Sequence, residues 1–187
     1  IDIKNYADLH KWSINNIEDF WKSLWGYLSP LCSKEPSTII NDKDKIFQPK
    51  WFEGCKMNFA ENLLRIKSNK TALISINEKN EEVKISYNQL FDQVETLASS
   101  MKKWGVSPSD RVCGIMPNCS EAVVAMLATT AIGAVWSSCS PDFGVRGILN
   151  RFKQINPKII FACDSYFYSG KKFSLIDKLS KIINSLT

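Results

Sequence analysis

The residues best placed to do chemistry lie in two short segments, each following an apolar run. The first is Met116, Pro117, Asn118, Cys119 and Ser120; the second runs from Ser137 to Gly144. The second carries the hydroxyls of Ser137, Ser138 and Ser140, the carboxylate of Asp142, and Gly144 at an expected helix start. Backbone N–H groups at such a place can hold an anion. The same residue types also make ordinary turns, and Asp142 is equally an N-cap. Cys139 is a conceivable nucleophile. A thiol nucleophile needs a base, however, and the single histidine, His10, lies far away in the sequence on an apolar helical pattern, where a structural role is expected. Glu81 and Glu82 fall in a polar turn and suit solvation. No G-x-x-x-x-G-K-[ST] and no G-x-G-x-x-G follows a strand-like run.

Six cysteines are spread along the chain (Cys32, Cys55, Cys113, Cys119, Cys139, Cys163) without a C-x-x-C pair. With one histidine this argues against zinc and for reduced, buried thiols in a cytoplasmic protein. The formal charge of +5 is concentrated at the end. From residue 151 onward Arg151, Lys153, Lys158, Lys171, Lys172, Lys178 and Lys181 face only Asp164 and Asp177. That excess fits a solvated Lys-rich helical face, or a surface for a polyanion such as a nucleotide or coenzyme A. Nucleic acid is not expected, because no stacking or groove-reading motif is interleaved with the basic residues. No apolar stretch approaches the roughly 20 residues of a membrane span, since residues 122–136 are interrupted by Thr129, Thr130 and Gly133. No leader pattern opens the chain. Ile1 in place of an initiator Met, and a helical pattern reaching Thr187 without a stop signal, read as cuts in a longer chain.

The elements that would carry these residues follow from periodicity. Ile17, Phe20, Trp21, Leu24, Trp25 and Leu28 recur at helical spacing, with Ser13 as the expected cap; the aromatic stripe reads as packing. Tyr6, Leu9 and Trp12 suggest a shorter helix before it. Residues 31–59, with Pro36 and Pro49, read as a loop-rich wrap, and helix resumes within 58–65. Residues 71–76 and 83–85 predict a hairpin. Ser86 and Gln89 form a capping-box pattern for a helix that Gly105 ends. Buried strands are expected at 111–116, 134–139 and 158–163, with helices at 120–130 and 145–155 between them. Strands alternating with helices, with near-continuous apolar strand runs, mean a parallel sheet covered on both faces, and ligands collect at its carboxyl ends. The predicted fold class is α/β: a helical and irregular N-terminal segment, then the first half of a doubly wound, largely parallel sheet.

Residues 51–65, beginning Trp51, Phe52, Glu53 and Gly54, and residues 122–128 and 133–147 resemble the acetoacetyl-CoA synthetases. The likeness runs from about Tyr6 to Leu179. Acetyl-CoA and propionyl-CoA synthetases share the layout but usually carry a glycine–phenylalanine loop where this chain has residues 138–143. The resemblance implies an ATP-dependent acid–thiol ligase of the adenylate-forming superfamily, joining acetoacetate to coenzyme A through an acyl-adenylate with Mg²⁺. It implies an acetyl-CoA-synthetase-like N-terminal region at 1–65 and the start of an AMP-binding domain at 66–187. The implied partners are these small molecules and the rest of the same chain, without nucleic acid or membrane. A synthetase for another short-chain acid, or a non-catalytic anion-binding module, are the alternatives. The family's catalytic motifs have no counterpart before Thr187, so no catalytic residue is assigned. One binding element is implied. A short basic loop that contacts the 3′-phosphate of coenzyme A in acetyl-CoA synthetases matches Tyr168, Gly170 and Lys171, with Lys172 beside them. Tyr168 stands where that loop has arginine, and a phenol does not reproduce a guanidinium fork.

Overall fold

In a computed structural model, which describes residues 3–45 and 47–186, the chain divides into two compact units between Asn58 and Phe59. In the first unit, helices α1 (Tyr6–Asn15) and α2 (Ile17–Leu28) precede an antiparallel hairpin of β1 (Thr38–Asn41) and β2 (Lys50–Glu53). Asn16, not Ser13, stands at the N-cap of α2; Ser13 lies inside α1, where it donates to the His10 carbonyl, and α1 is itself capped by Asn5, whose side-chain oxygen accepts from the Asp8 amide. Asn16, with no side-chain cap bond, precedes α2. The aromatic stripe packs as expected. Trp21 meets Trp51 edge-on at 5.3 Å and Trp25 stacks on Phe52 at 4.6 Å. Phe52 adopts a left-handed φ of +45°, a conformation costly for a bulky residue. The hairpin was not evident from the sequence, because its two short strands lie within a segment rich in Pro and charge.

The second unit holds the regular half of the sequence. Helix α3 (Phe59–Leu63) leads to the antiparallel pair β3 (Thr71–Ile76) and β4 (Glu82–Ser86). Helix α4 (Tyr87–Lys103) starts with both capping-box bonds made: the Gln89 amide donates to Ser86 Oγ, and the Ser86 amide donates to Gln89 Oε1. It ends on Gly105 at φ +84°, with the Val106 amide bonded to the Met101 carbonyl and the Gly105 amide to that of Lys102. This is a Schellman close, and Met101 and Val106 are both buried beside it.

Three strands follow: β5 (Arg111–Ile115), β6 (Val135–Cys139) and β7 (Ile159–Ala162), with α5 (Ser120–Ala131) and α6 (Val145–Ile155) as crossovers. They form one parallel sheet in the order β6-β5-β7. The chain therefore moves first to one side of β5 and then to the other. Two crossovers of one hand moving in opposite directions must lie on opposite faces, and they do. Val112 packs with α4 and α5 in one apolar cluster, while Cys113 and Ile115 pack with Ile148 and Phe152 of α6 in a second. The doubly wound α/β reading thus holds. Past β7 the structure adds what the sequence reading passed over, a hairpin of β8 (Ser165–Tyr168) and β9 (Lys171–Ser174); helix α7 (Ile176–Leu186) follows and buries Ile182 in the second cluster.

The strand starts are fastened by charge. Arg111 Nε donates to the Ile155 carbonyl at 2.7 Å, and Lys158 Nζ donates to the Gly105 carbonyl and to Asp110 at 2.9 Å. The basic residues from 151 onward do not share one helical face: Arg151 and Lys153 lie on α6, Lys158 just before β7, Lys171 and Lys172 on β9, and Lys178 and Lys181 on α7. No helix among the described residues is long and apolar enough to cross a membrane.

Candidate functional site

The three residues singled out for a coenzyme phosphate come together on one turn. Tyr168 ends β8, Lys171 opens β9, and the two face each other across the ladder. Between them Ser169 and Gly170 have φ of +51° and +74°. Positive φ at both central positions is the two-residue hairpin turn that matches strand twist, and glycine takes it without strain. Both turn amides point outward, away from the ladder, and both bind one carboxylate. Ser169 N–H donates to Glu78 Oε1 and Gly170 N–H to Glu78 Oε2, each at 3.1 Å. Two adjacent amides on two oxygens of one anion make a small anion cradle. Lys79, beside Glu78, places its ammonium 4.5 Å from the centre of the Phe167 ring. Lys171 and Lys172 are exposed, and Tyr166 stacks on Phe173 at 5.5 Å behind them. In this structure the two turn amides hold the chain's own Glu78 carboxylate. Sequence reasoning missed Glu78, which is 91 residues from Ser169 in the chain. Its one signal was a polar turn between two strands.

The sheet-end loops also hold carboxylates. Glu121, at the start of α5, has its carboxyl held below the usual range, first by its own backbone N–H and then by the Cys119 thiol and Ser120 hydroxyl. In the 140–144 loop, Asp142 accepts from Ser140 Oγ at 2.9 Å and from the Tyr166 hydroxyl, which raises that phenol's pKa. Gly144, not Asp142, is the N-cap of α6. Arg151 lies over Phe143 at 4.6 Å and donates to the Gly147 carbonyl, and Lys178 donates to the Pro141 carbonyl.

The remaining candidates do no visible chemistry. Cys139 is buried, and burial pushes its thiol up, away from the nucleophilic thiolate. Cys113, also buried, is pushed up to about 12, first by desolvation. The expectation of buried thiols holds for these two. Cys32, Cys55, Cys119 and Cys163 are only partly covered, and all six are free. His10 is exposed on α1 and stacks on Tyr6, so it is not a core residue. Glu82 pairs with exposed Lys84, and Glu81 accepts from Asn77. Among the described residues no group of three or more His, Cys, Asp or Glu is arranged to hold a metal ion. Two grooves open on the second unit. One of about 510 Å³ lies between α4 and α5 and is lined by Leu97, Met116, Val124 and Phe161 among others. The other, of about 400 Å³, lies between β3 and Asn118–Ser120.

A parallel sheet with its order reversing at β5 and loops gathered at the carboxyl ends is the frame of a nucleotide-handling α/β enzyme. The family model for the AMP-binding enzyme matches residues 59–185, and the chain belongs to that family. A second model, the acetyl-coenzyme A synthetase N-terminus, matches residues 6–63. Among curated relatives, acetoacetyl-CoA synthetase of Rattus norvegicus is 43% identical over 97% of this chain, and that of Gallus gallus is 42% identical over 98%. The chain spans 28% of the length of each. The solved structure of acetoacetyl-CoA synthetase from Streptomyces lividans superimposes with a TM-score of 0.90 at 36% identity, covering 98% of this chain and 29% of that one. The resemblance read from residues 51–65 and 133–147 is therefore shown along nearly the whole chain.

Proposed function

We propose that this chain is the N-terminal part of an ATP-dependent acetoacetate–CoA ligase, a cytoplasmic enzyme that converts acetoacetate, ATP and coenzyme A to acetoacetyl-CoA, AMP and diphosphate. The observation that carries the reading is 43% identity to an acetoacetyl-CoA synthetase over 97% of the chain. The chemistry answers a definite need. A carboxylate is a poor electrophile, and joining it to AMP supplies a good leaving group for attack by a thiol. Mg²⁺ in this reading would accompany ATP and help stabilise the charge that develops on its phosphates. The first unit and the three-stranded sheet act as scaffold, and the acid pocket and catalytic groups belong to the rest of the protein.

Within this reading the 168–171 turn meets the 3′-phosphate of coenzyme A. Lys171 supplies the charge, Gly170 and Ser169 supply two N–H donors, and Tyr168 stands at the rim. What supports this is the pair of outward amides already closed on an anion. A phosphate entering there displaces Glu78, and its charge is matched by Lys171 and Lys172. The test uses the whole protein. Acetoacetate-dependent AMP formation should require coenzyme A, and Lys171→Ala should raise KM for coenzyme A while leaving KM for 3′-dephospho-coenzyme A unchanged. Glu78→Gln should lower KM for coenzyme A, because the competing carboxylate is neutralised. Equal effects of Lys171→Ala on both coenzymes would remove the phosphate contact. No acetoacetate-dependent AMP formation would remove the ligase reading.

A further inference from the structure

The first unit holds a pair of thiols to which the ligase reading gives no role. Cys32 and Cys55 are far apart in sequence, yet a short antiparallel ladder brings their segments together. Lys34 pairs with Lys56, the Ser33 amide donates to the Lys56 carbonyl at 2.8 Å, and the Lys56 amide donates to the Lys34 carbonyl at 3.1 Å. The chain enters this ladder through a tight turn. Phe52 and Gly54 both have positive φ, and the Cys55 amide donates to the Phe52 carbonyl at 3.0 Å. In that register Glu35 stands opposite Cys55. The Cys32 thiol donates to Glu35 Oε1 at 3.1 Å, so it reaches the residue that stands opposite Cys55. Both cysteines are partly exposed and free, so a small solute reaches them, while Cys113 and Cys139 are shut inside the sheet core.

We propose that Cys32 and Cys55 form a two-thiol redox-modification site, closed to a disulfide by exchange with a small-molecule disulfide of the glutathione type. In the first step the Cys55 sulfur, giving up its proton, attacks one sulfur of the small disulfide. That S–S bond breaks, a mixed disulfide forms on Cys55, and one small thiol leaves. In the second step the deprotonated Cys32 sulfur attacks the Cys55 sulfur, and the second small thiol leaves. Two protein thiols become one disulfide while one small disulfide becomes two thiols, so atoms and electrons balance. Glu35 sets the order. Its hydrogen bond and its charge keep the proton on Cys32, whose pKa rises to about 11, so Cys32 acts second and the carboxylate slows closure. Glu35 also accepts from Trp25 Nε1 at 3.2 Å, which anchors it in place. The closed bond joins the two ends of the segment that contains β1 and β2, next to the Thr38–Glu53 pair.

The whole protein, incubated in graded mixtures of reduced and oxidised glutathione, then acid-quenched, alkylated and digested, tests this by peptide mass spectrometry. The expected product is a linked Cys32–Cys55 peptide pair, two hydrogens lighter than the separate peptides and lost on reduction. Cys32→Ser should stop at glutathione on Cys55. Glu35→Gln should speed closure by about tenfold or more, since each unit of thiol pKa is a factor of ten in thiolate. Glutathione persisting on Cys55 of the unaltered protein without closure would overturn the proposal. So would bonds joining Cys32 or Cys55 equally to Cys119 or Cys163.

Discussion

Gly114 lies on the central strand of the parallel sheet, between Ser138 of β6 and Phe161 of β7. A Cβ added there would stand 2.7 Å from Trp136 Cη2 and 2.8 Å from Trp136 Cζ2. Carbon atoms rest at about 3.5–4.0 Å, so the indole edge has to retreat by about 1 Å. Trp136 cannot retreat freely, since it packs against the first apolar cluster and lies 6.4 Å from the Phe161 ring. Overpacking of this kind costs about 1–3 kcal/mol. The φ of Gly114 is not positive, so alanine fits its backbone and recovers about 0.4–1 kcal/mol from the unfolded chain. The net expectation for Gly114→Ala is a loss of about 0.5–2 kcal/mol. Trp136→Phe removes the two crowding atoms, and on that background Gly114→Ala should be neutral or slightly stabilising. Urea unfolding of the four variants, followed by far-UV circular dichroism, closes a double-mutant cycle whose coupling should be about 1–2 kcal/mol. The same loss on both backgrounds would show that the crowding of Trp136 is not what keeps residue 114 a glycine.

Ser86→Ala removes the acceptor for the Gln89 amide and should cost about 0.5–2 kcal/mol, read as faster hydrogen exchange in the first turn of α4. Asp110 is a pH test. Its carboxyl is held below the usual range, first by the hydrogen bond from Lys158 and then by the Ser107 amide. A depressed folded pKa adds stability that is complete above the ordinary carboxylate value and is lost as pH falls through the folded one. The urea midpoint should therefore fall as pH drops below about 4, and Asp110→Asn should flatten that fall by Asp110's share. An unchanged pH profile in Asp110→Asn would mean that the Lys158 contact carries no stability.

Most of the second unit was legible in the sequence because its signals are local. The capping box at Ser86 and Gln89, the glycine stop at Gly105 and the apolar strand runs each act within a few residues, and the structure carries them out almost where expected. The weaker readings failed where two short-range signals competed. Ser13 is a good cap by type, but α1 runs on through it to Asn15, and α2 starts after Asn16. The β1–β2 and β8–β9 hairpins were missed because four-residue strands carry too little alternation to stand out. Of the two readings of the basic tail, the single helical face fails for the same reason, since Lys171 and Lys172 stand on β9.

The amino-acid order by itself determined the class of fold, the alternation of strand and helix, and the gathering of Tyr168, Gly170 and Lys171 in one short stretch. Tertiary structure alone decided what meets that stretch. It set Glu78 on the turn amides, put α5 and α6 on opposite faces of β5, and laid the segment of Cys32 beside that of Cys55. Such pairings join residues tens of positions apart, and loop closure depends only weakly on the length or content of the chain between them. Nothing in the linear order marks which distant residue arrives, so the anion that occupies the turn was not visible until the chain was folded.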